Sequence, residues 1–379
     1  MIIEKKILSR FKIFSHQFPY KLIAVIIAIT FIGIAMMYSA SNGSFDPWAK
    51  KQIIHFVFSL VIMIIVASLN IKFYYNTAYL LYALSILLLI AVELVGYTAM
   101  GATRWLKIGV FKLQPSDIVK VTIILALARY FHDLKINKIS QIRFLLTPLI
   151  IIIIPVAFIL KQPDLGTGII ILLISSFILF SAGVRIWKFA LVGLAGILFI
   201  PIAWNYLHPY QQSRVLIFLN PESDPLGAGY NIMQSKIAIG SAGFFGKGFL
   251  KGSQSQLSFL PERHTDFIFT MFAEEWGFLG CILLLIAFYY ICITTLSMAN
   301  SCKSHFARLM SLGSTALFFI HIIVNVAMVS GMLPVVGAPL PLLSYGGTIM
   351  VTTYLAFGLI INAYLHRRIN IDKVLKSFF

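Results

Sequence analysis

Long apolar stretches recur from one end of the chain to the other, separated by short polar or basic stretches. A helix needs about 20 predominantly apolar residues to cross the roughly 30 Å hydrocarbon core of a bilayer. On that measure the pattern predicts ten spans, at about residues 21–39, 53–70, 74–96, 116–132, 145–160, 166–183, 187–205, 266–296, 307–330 and 343–364. It predicts an all-α polytopic membrane protein, a single integral membrane domain over 1–379 with no internal repeat and no separate soluble domain. The region 206–265, between the seventh and eighth spans, is too long for a mere connector.

Composition agrees. The 379 residues are 59% hydrophobic and 11% charged, too few charges to cover a soluble protein of this size. The formal net charge of +17 does not point to nucleic acid, because basic residues in membrane proteins gather in cytoplasmic loops and set topology. With the N-terminus inside, 18 of the 30 Lys and Arg residues fall on the inner side, against only Glu4, Asp133 and Asp372 among the acids. An even number of spans then leaves both termini cytoplasmic and puts 97–116, 161–165 and 206–265 outside. The N-terminal run of Lys5, Lys6, Arg10, Lys12 and Lys21 is long for a cleavable signal and predicts a retained first span. Cys281, Cys292 and Cys302 lack pairing or metal-ligand spacing and read as packing residues.

The polar residues outside are clustered. GATRWLKIGVFKLQPSDIVK brings Arg104, Lys107, Lys112, Gln114, Asp117 and Lys120 together, and its alternation suits a segment lying at the interface. Pro115 opens the fourth span, with Ser116 or Asp117 in its first turn. Lys120 lies about a turn inside it, where a lone ammonium costs about 2–3 kcal/mol unless paired or hydrated. In Lys161–Gly168 the Pro and Gly residues make a tight turn, with Asp164 placed to cap the sixth span. Gly240, Gly243, Gly246, Gly248 and Gly252 do not have phosphate-loop spacing and predict a sharply bent loop. Gly331–Thr348 is apolar but rich in Pro and Gly, an irregular segment of the kind tolerated at membrane depth where it lines a site.

PERHTDFIFT, residues 261–270, crowds charge against the eighth span. At 100° per residue Thr270 stands about 40° from Asp266 and Glu274 about 80°, whereas Glu275 points to the opposite face and needs another partner. Buried intramembrane acids face a cavity or the bundle interior and mark a functional path, and Asp266 is the candidate for one.

QPDLGTG, NPESDPLGAGYNIMQSKIAIGSAGFFGKG, FLPERHTDFIFTMFAEEWGFLG and MLPVVGAPLPLLSYGGT, in that order, resemble the SEDS family of shape, elongation, division and sporulation proteins, with Arg263 favouring its rod-shape branch. The match runs from about Arg104 to Thr348. The resemblance implies an inverting peptidoglycan glycosyltransferase that polymerises lipid II, the undecaprenyl-diphosphate-linked disaccharide-pentapeptide, at the outer face of the bacterial cytoplasmic membrane during elongation. It implies a class B penicillin-binding transpeptidase and other elongation-complex proteins as partners, and no nucleic acid. The family's catalytic aspartate maps onto Asp266, and its arginine and lysine onto Arg104 and Lys120. Gln114, Asp164, Arg214, Glu274 and Ser344 complete the expected substrate-binding set. A divalent cation, Mg2+ or Mn2+, is the cofactor the chemistry could use to neutralise the departing diphosphate. Asp117 stands where the family commonly has Glu, and Trp276 where a smaller aliphatic residue is usual. A lipid II flippase and a scaffold for the crosslinking enzyme are the competing readings.

Overall fold

The structure is a computed structural model that describes residues 18–99, 102–108, 111–206, 209–224, 228–256 and 262–371. The basic residues 5–12 and the charged tail 372–376 lie outside them. Ten helices take up the ten predicted spans: α1 Tyr20–Ala40, α2 Ala49–Ser68, α3 Ile71–Val95, α4 Pro115–Asp133, α5 Ile142–Lys161, α6 Leu165–Ala182, α7 Ile186–Trp204, then α10 Ile268–Asn300, α11 His305–Val329 and α12 Gly347–Leu365. Two shorter helices, α8 Pro209–Leu219 and α9 Ala228–Ser241, and a single helical turn at Ser253–Gln256 lie between α7 and α10. Eight of the helices are long and apolar enough to cross a membrane. Of the other two, α4 falls short on its charges, Asp117, Lys120 and Arg129, and α7 is an apolar helix of 19 residues. The molecule is a helical integral membrane protein.

The structure adds one element to the helical bundle. Tyr97–Ala99 (β1), Ala102–Ile108 (β2) and Phe111–Leu113 (β3) form a three-stranded antiparallel sheet in the order β1-β2-β3. The polar–apolar alternation that suited an interfacial segment is the period-two pattern of these short strands. The sheet, the turn before α6, the 206–265 region and the irregular 331–346 segment follow helix ends of the same side and form what is called here the sheet end.

α4, α11 and α12 make the centre. α4 is buried over almost its whole length despite its charges, α11 touches α4, α6, α10 and α12, and α12 packs along α2. α7, by contrast, is exposed along nearly all its length, with Ile186, Val192 and Leu198 each about two-thirds or more accessible. Cys292 and Cys302 are buried, Cys281 partly so, and all three are free thiols, consistent with packing.

The unusual helix is α10. Its 33 residues would run about 50 Å at 1.5 Å per residue, well beyond a bilayer core. The excess is resolved by a break at Gly277, where φ is 68° and ψ −168°, a conformation open essentially to glycine alone. Residues 278–300 suffice for a crossing. Residues 268–275 form a separate helical piece buried on every side, Thr270, Glu274 and Glu275 included. The break leaves backbone groups that lipid could not satisfy. The glycine-rich 243–248 loop satisfies them: the Lys247 and Gly248 amides donate to the carbonyls of Glu274 and Glu275 (both 3.0 Å), and the Phe278 and Leu279 amides donate to Gly243 and Phe244 (both 3.0 Å). The two backbones approach so closely that a Cβ on Gly246 would lie 2.2 Å from the Glu275 carbonyl oxygen.

Candidate active site

Asp266 lies in the turn at 262–267 that leads into the buried helical piece, and is partly buried. The turn is held by the 338–345 segment. Tyr345 N–H donates to the His264 carbonyl (2.8 Å), and the Ser344 hydroxyl donates to the Thr265 carbonyl (2.7 Å) while accepting from Leu340 N–H (2.7 Å). Asn325 of α11 bridges the two, its side-chain amide donating to the carbonyls of Asp266 (2.8 Å) and Ala338 (2.7 Å). Trp48 stacks on the His264 ring at 4.3 Å, tying the turn to the start of α2.

These contacts leave the Asp266 carboxylate facing Gly337, an exposed residue where a Cβ would stand 3.5 Å from Oδ2. The carboxylate therefore sits beneath a lip that the irregular segment forms. Burial raises its pKa to about 6, the nearby charges of Glu262 and Asp164 add to the rise, and Arg214 on α8 opposes it. The same three side chains mark what surrounds the acid.

Asp164 caps α6 as expected, accepting from the Thr167 amide (3.2 Å) and hydroxyl (2.9 Å). Its turn abuts the irregular segment, because a Cβ on Gly166 would lie 2.3 Å from the Val336 carbonyl. Arg104 on β2 reaches over this turn. Its Nε donates to Gln162 O (3.2 Å), one terminal nitrogen donates to Pro163 O, and the other stands 3.8 Å from Asp164. The guanidinium holds the carbonyls just past the end of α5 and remains about a quarter exposed.

Lys120 is almost completely enclosed. Its ammonium contacts Asp117 Oδ1 at 2.6 Å and His321 Nε2 at 3.2 Å. His321 Nδ1 lies 2.7 Å from the Leu317 carbonyl, so Nδ1 carries the proton and Nε2 accepts from the lysine. His321 and Asn325 are one turn apart on α11. One helical turn, about 5.4 Å, thus separates the residue that meets Lys120 from the one that holds Asp266.

The expected site residues separate accordingly. Asp266, Asp164, Arg214 and Ser344 are brought together, Arg104 joins through Asp164, and Lys120 joins through α11. Gln114 stands at the N-cap of α4, where its side chain makes no capping hydrogen bond. Glu274 is engaged elsewhere: its Oε1 accepts from Lys247 Nζ (2.8 Å), Ser253 Oγ (3.2 Å) and the Gln254 amide (2.9 Å). Glu275 finds its separate partner in Ser39 of α1, which donates to its carboxylate. Four residues missed at the sequence level are Glu262, His321, Asn325 and Lys247. His321 and Asn325 carried a readable signal, two polar residues four apart in an apolar span.

Residues 20–369 match the family model of FtsW, RodA and SpoVE, described as "Cell cycle protein". The chain belongs to this family. Its relatives include the peptidoglycan glycosyltransferase MrdB of Escherichia coli K12, 41% identical over 363 residues that cover 93% of this chain and 95% of that one. The peptidoglycan glycosyltransferase RodA of Treponema pallidum is 32% identical, covering 91% and 97%. Among solved structures, a chain of a peptidoglycan synthase complex that coordinates polymerization and crosslinking superposes with a TM-score of 0.81 at 31% identity, covering 92% of this chain and 98% of that one. The rod shape determining protein RodA of Thermus thermophilus gives 0.70 at 26% identity, covering 92% and 97%. Membership of the FtsW, RodA and SpoVE family accords with the four motifs, and these motifs frame the site: PERHTDF supplies the Asp266 turn, QPDLGTG the Asp164 cap, and the Pro- and Gly-rich segment the lip.

Proposed function

We propose that this chain is a peptidoglycan glycosyltransferase that polymerises lipid II at the outer face of the bacterial cytoplasmic membrane during cell elongation, with Asp266 as general base. The observation that carries the reading is a partly buried carboxylate at the sheet end of a membrane bundle, beside the exposed Gly337 and within reach of the Arg214 charge. The sheet end is the outer face, in keeping with the Lys and Arg excess on the opposite side. A class B transpeptidase is the partner, by analogy with the synthase complex that the chain resembles.

The acceptor's 4-hydroxyl gives its proton to the Asp266 carboxylate while its oxygen bonds to the donor's anomeric carbon. The bond from that carbon to the lipid diphosphate breaks, and its electron pair leaves with the diphosphate. One displacement inverts the centre, so an α-linked donor gives a β-linked strand. Arg214 and Lys120, with Arg104 at the edge, stabilise the departing charge; Gln114 lines the approach, and the buried Ser344 holds the turn that carries the acid. Among the described residues no three His, Cys, Asp or Glu side chains are grouped to hold a metal ion. The described residues form no cation cage, and a Mg2+ or Mn2+ ion would arrive on the diphosphate, as Mg2+ commonly does.

The raised pKa of Asp266 has a direct kinetic consequence. A base works only when deprotonated, so kcat/KM of the purified protein with its partner should fall about tenfold per pH unit below about 6, rather than below about 4. Glu262→Gln, which removes a neighbouring negative charge, should move this limb down; Arg214→Ala should move it up. A limb near 4 that ignores both changes would remove Asp266 from the role of base.

A further inference from the structure

We propose that Lys247 and Glu274 form a latch that positions Asp266 for glycosyl transfer, so that both are positioning residues and Glu274 touches no substrate. The inference rests on the proposed function for its kinetic arm, and on the fold alone for its structural arm.

Three independent observations place the latch. The Glu274 carboxylate is fully buried and one of its oxygens gathers donors from Lys247, Ser253 and the Gln254 backbone, all within 247–254. A carboxylate at that depth requires such partners. The backbones on either side are then cross-paired by the four hydrogen bonds that fill the break at Gly277. The α9 helix ahead of the loop is also pinned: the Ser235 hydroxyl meets Thr270 Oγ1 (2.6 Å) and lies 2.6 Å from the Val329 carbonyl.

Chain order turns these contacts into a positioning device. Lys247 and Glu274 are 27 residues apart, and Asp266 lies between them. Closing the pair fixes the C-terminal end of the buried helical piece whose other end carries Asp266. The 338–345 segment and Asn325 fix the opposite end. The acid is therefore held from both sides, and its distances to Glu262, Asp164 and Arg214 depend on both. Displacing a reacting group by about 1 Å from a remote site can cost about 10²-fold in rate.

The test uses full-length protein in nanodiscs, with the crosslinking partner and lipid II for kinetics and without them for exchange. Glu274→Gln keeps the shape and an acceptor oxygen but loses the charge; Lys247→Met, at a side chain about a quarter exposed, removes the other half. Each is expected to lower kcat about 10- to 100-fold while KM stays within about twofold, and Lys247→Arg should retain most of the rate. The double variant should lose no more than either single one, because both remove one interaction. Amide hydrogen exchange of 243–254 should speed up in Glu274→Gln without substrate. A rise in KM at constant kcat would make Glu274 a substrate contact and overturn the latch. So would additive losses, or an unchanged kcat with unchanged exchange. If wild-type protein makes no strands, the functional reading fails, while the exchange experiment still decides whether the latch exists.

Discussion

Asp266→Asn is expected to lower lipid II polymerisation by about 10²–10⁴-fold, the usual contribution of a positioned general base, while leaving the fold intact. The two halves of this expectation come from different contacts. The turn is held through backbone groups, the carbonyls of His264, Thr265 and Asp266, which the substitution does not touch. The side chain, in turn, carries a raised pKa, so folding disfavours its ionised form. For an acid with a raised folded-state pKa, stability falls as pH rises through that value. At neutral pH the neutral amide should therefore unfold at the wild-type temperature or above it. Strand synthesis followed by gel, beside a thermal melt in the same detergent, checks both. An inactive variant that also melts early would leave the loss to misfolding, and Asp266→Asn at full rate would exclude this residue as base.

Asp117→Ala is expected to cost about 3–5 kcal/mol of stability, the penalty for stranding one member of a buried ion pair. Both side chains are below a tenth exposed and their charged atoms are 2.6 Å apart. His321 cannot replace the carboxylate, since it offers Lys120 only a neutral acceptor. Lys120→Met strands Asp117 in the same way and should be similarly destabilised. The informative protein is the double variant Asp117→Asn/Lys120→Met, which has no buried charge left to satisfy. It should recover most of the thermal stability and still fail to polymerise, because the ammonium that would meet the diphosphate is gone. Recovery of both stability and rate would make the pair purely structural.

Much of the fold was legible because a span is a long, redundant signal. All ten predicted segments are helices, with ends displaced by only a few residues. Asp164 at the cap of α6 and Pro115 opening α4 were readable because capping is local chemistry. The sheet was not, since two of its strands have three residues each and carry too little alternation to distinguish from an interfacial stretch. The break at Gly277 was hidden as one glycine at the head of the apolar run that follows Glu275. It also limits the helical wheel drawn from Asp266: the helix starts at Ile268, and Glu274 turns to Lys247, a partner in the glycine-rich loop that no local period could reveal. Lys120 shows the same limit, as its need for a partner was evident but half of the answer, His321, lies 201 residues away.

This membrane bundle makes glycan strands and does not merely move their precursor. The direct measurement puts the purified protein and its crosslinking partner, with the transpeptidase site blocked, into liposomes containing fluorescent lipid II, and reads strand formation and transbilayer movement in the same vesicles. The expected result is a ladder of uncrosslinked strands that disappears with Asp266→Asn. Movement of lipid II across the bilayer that survives Asp266→Asn, with no ladder from the wild-type protein, would contradict it.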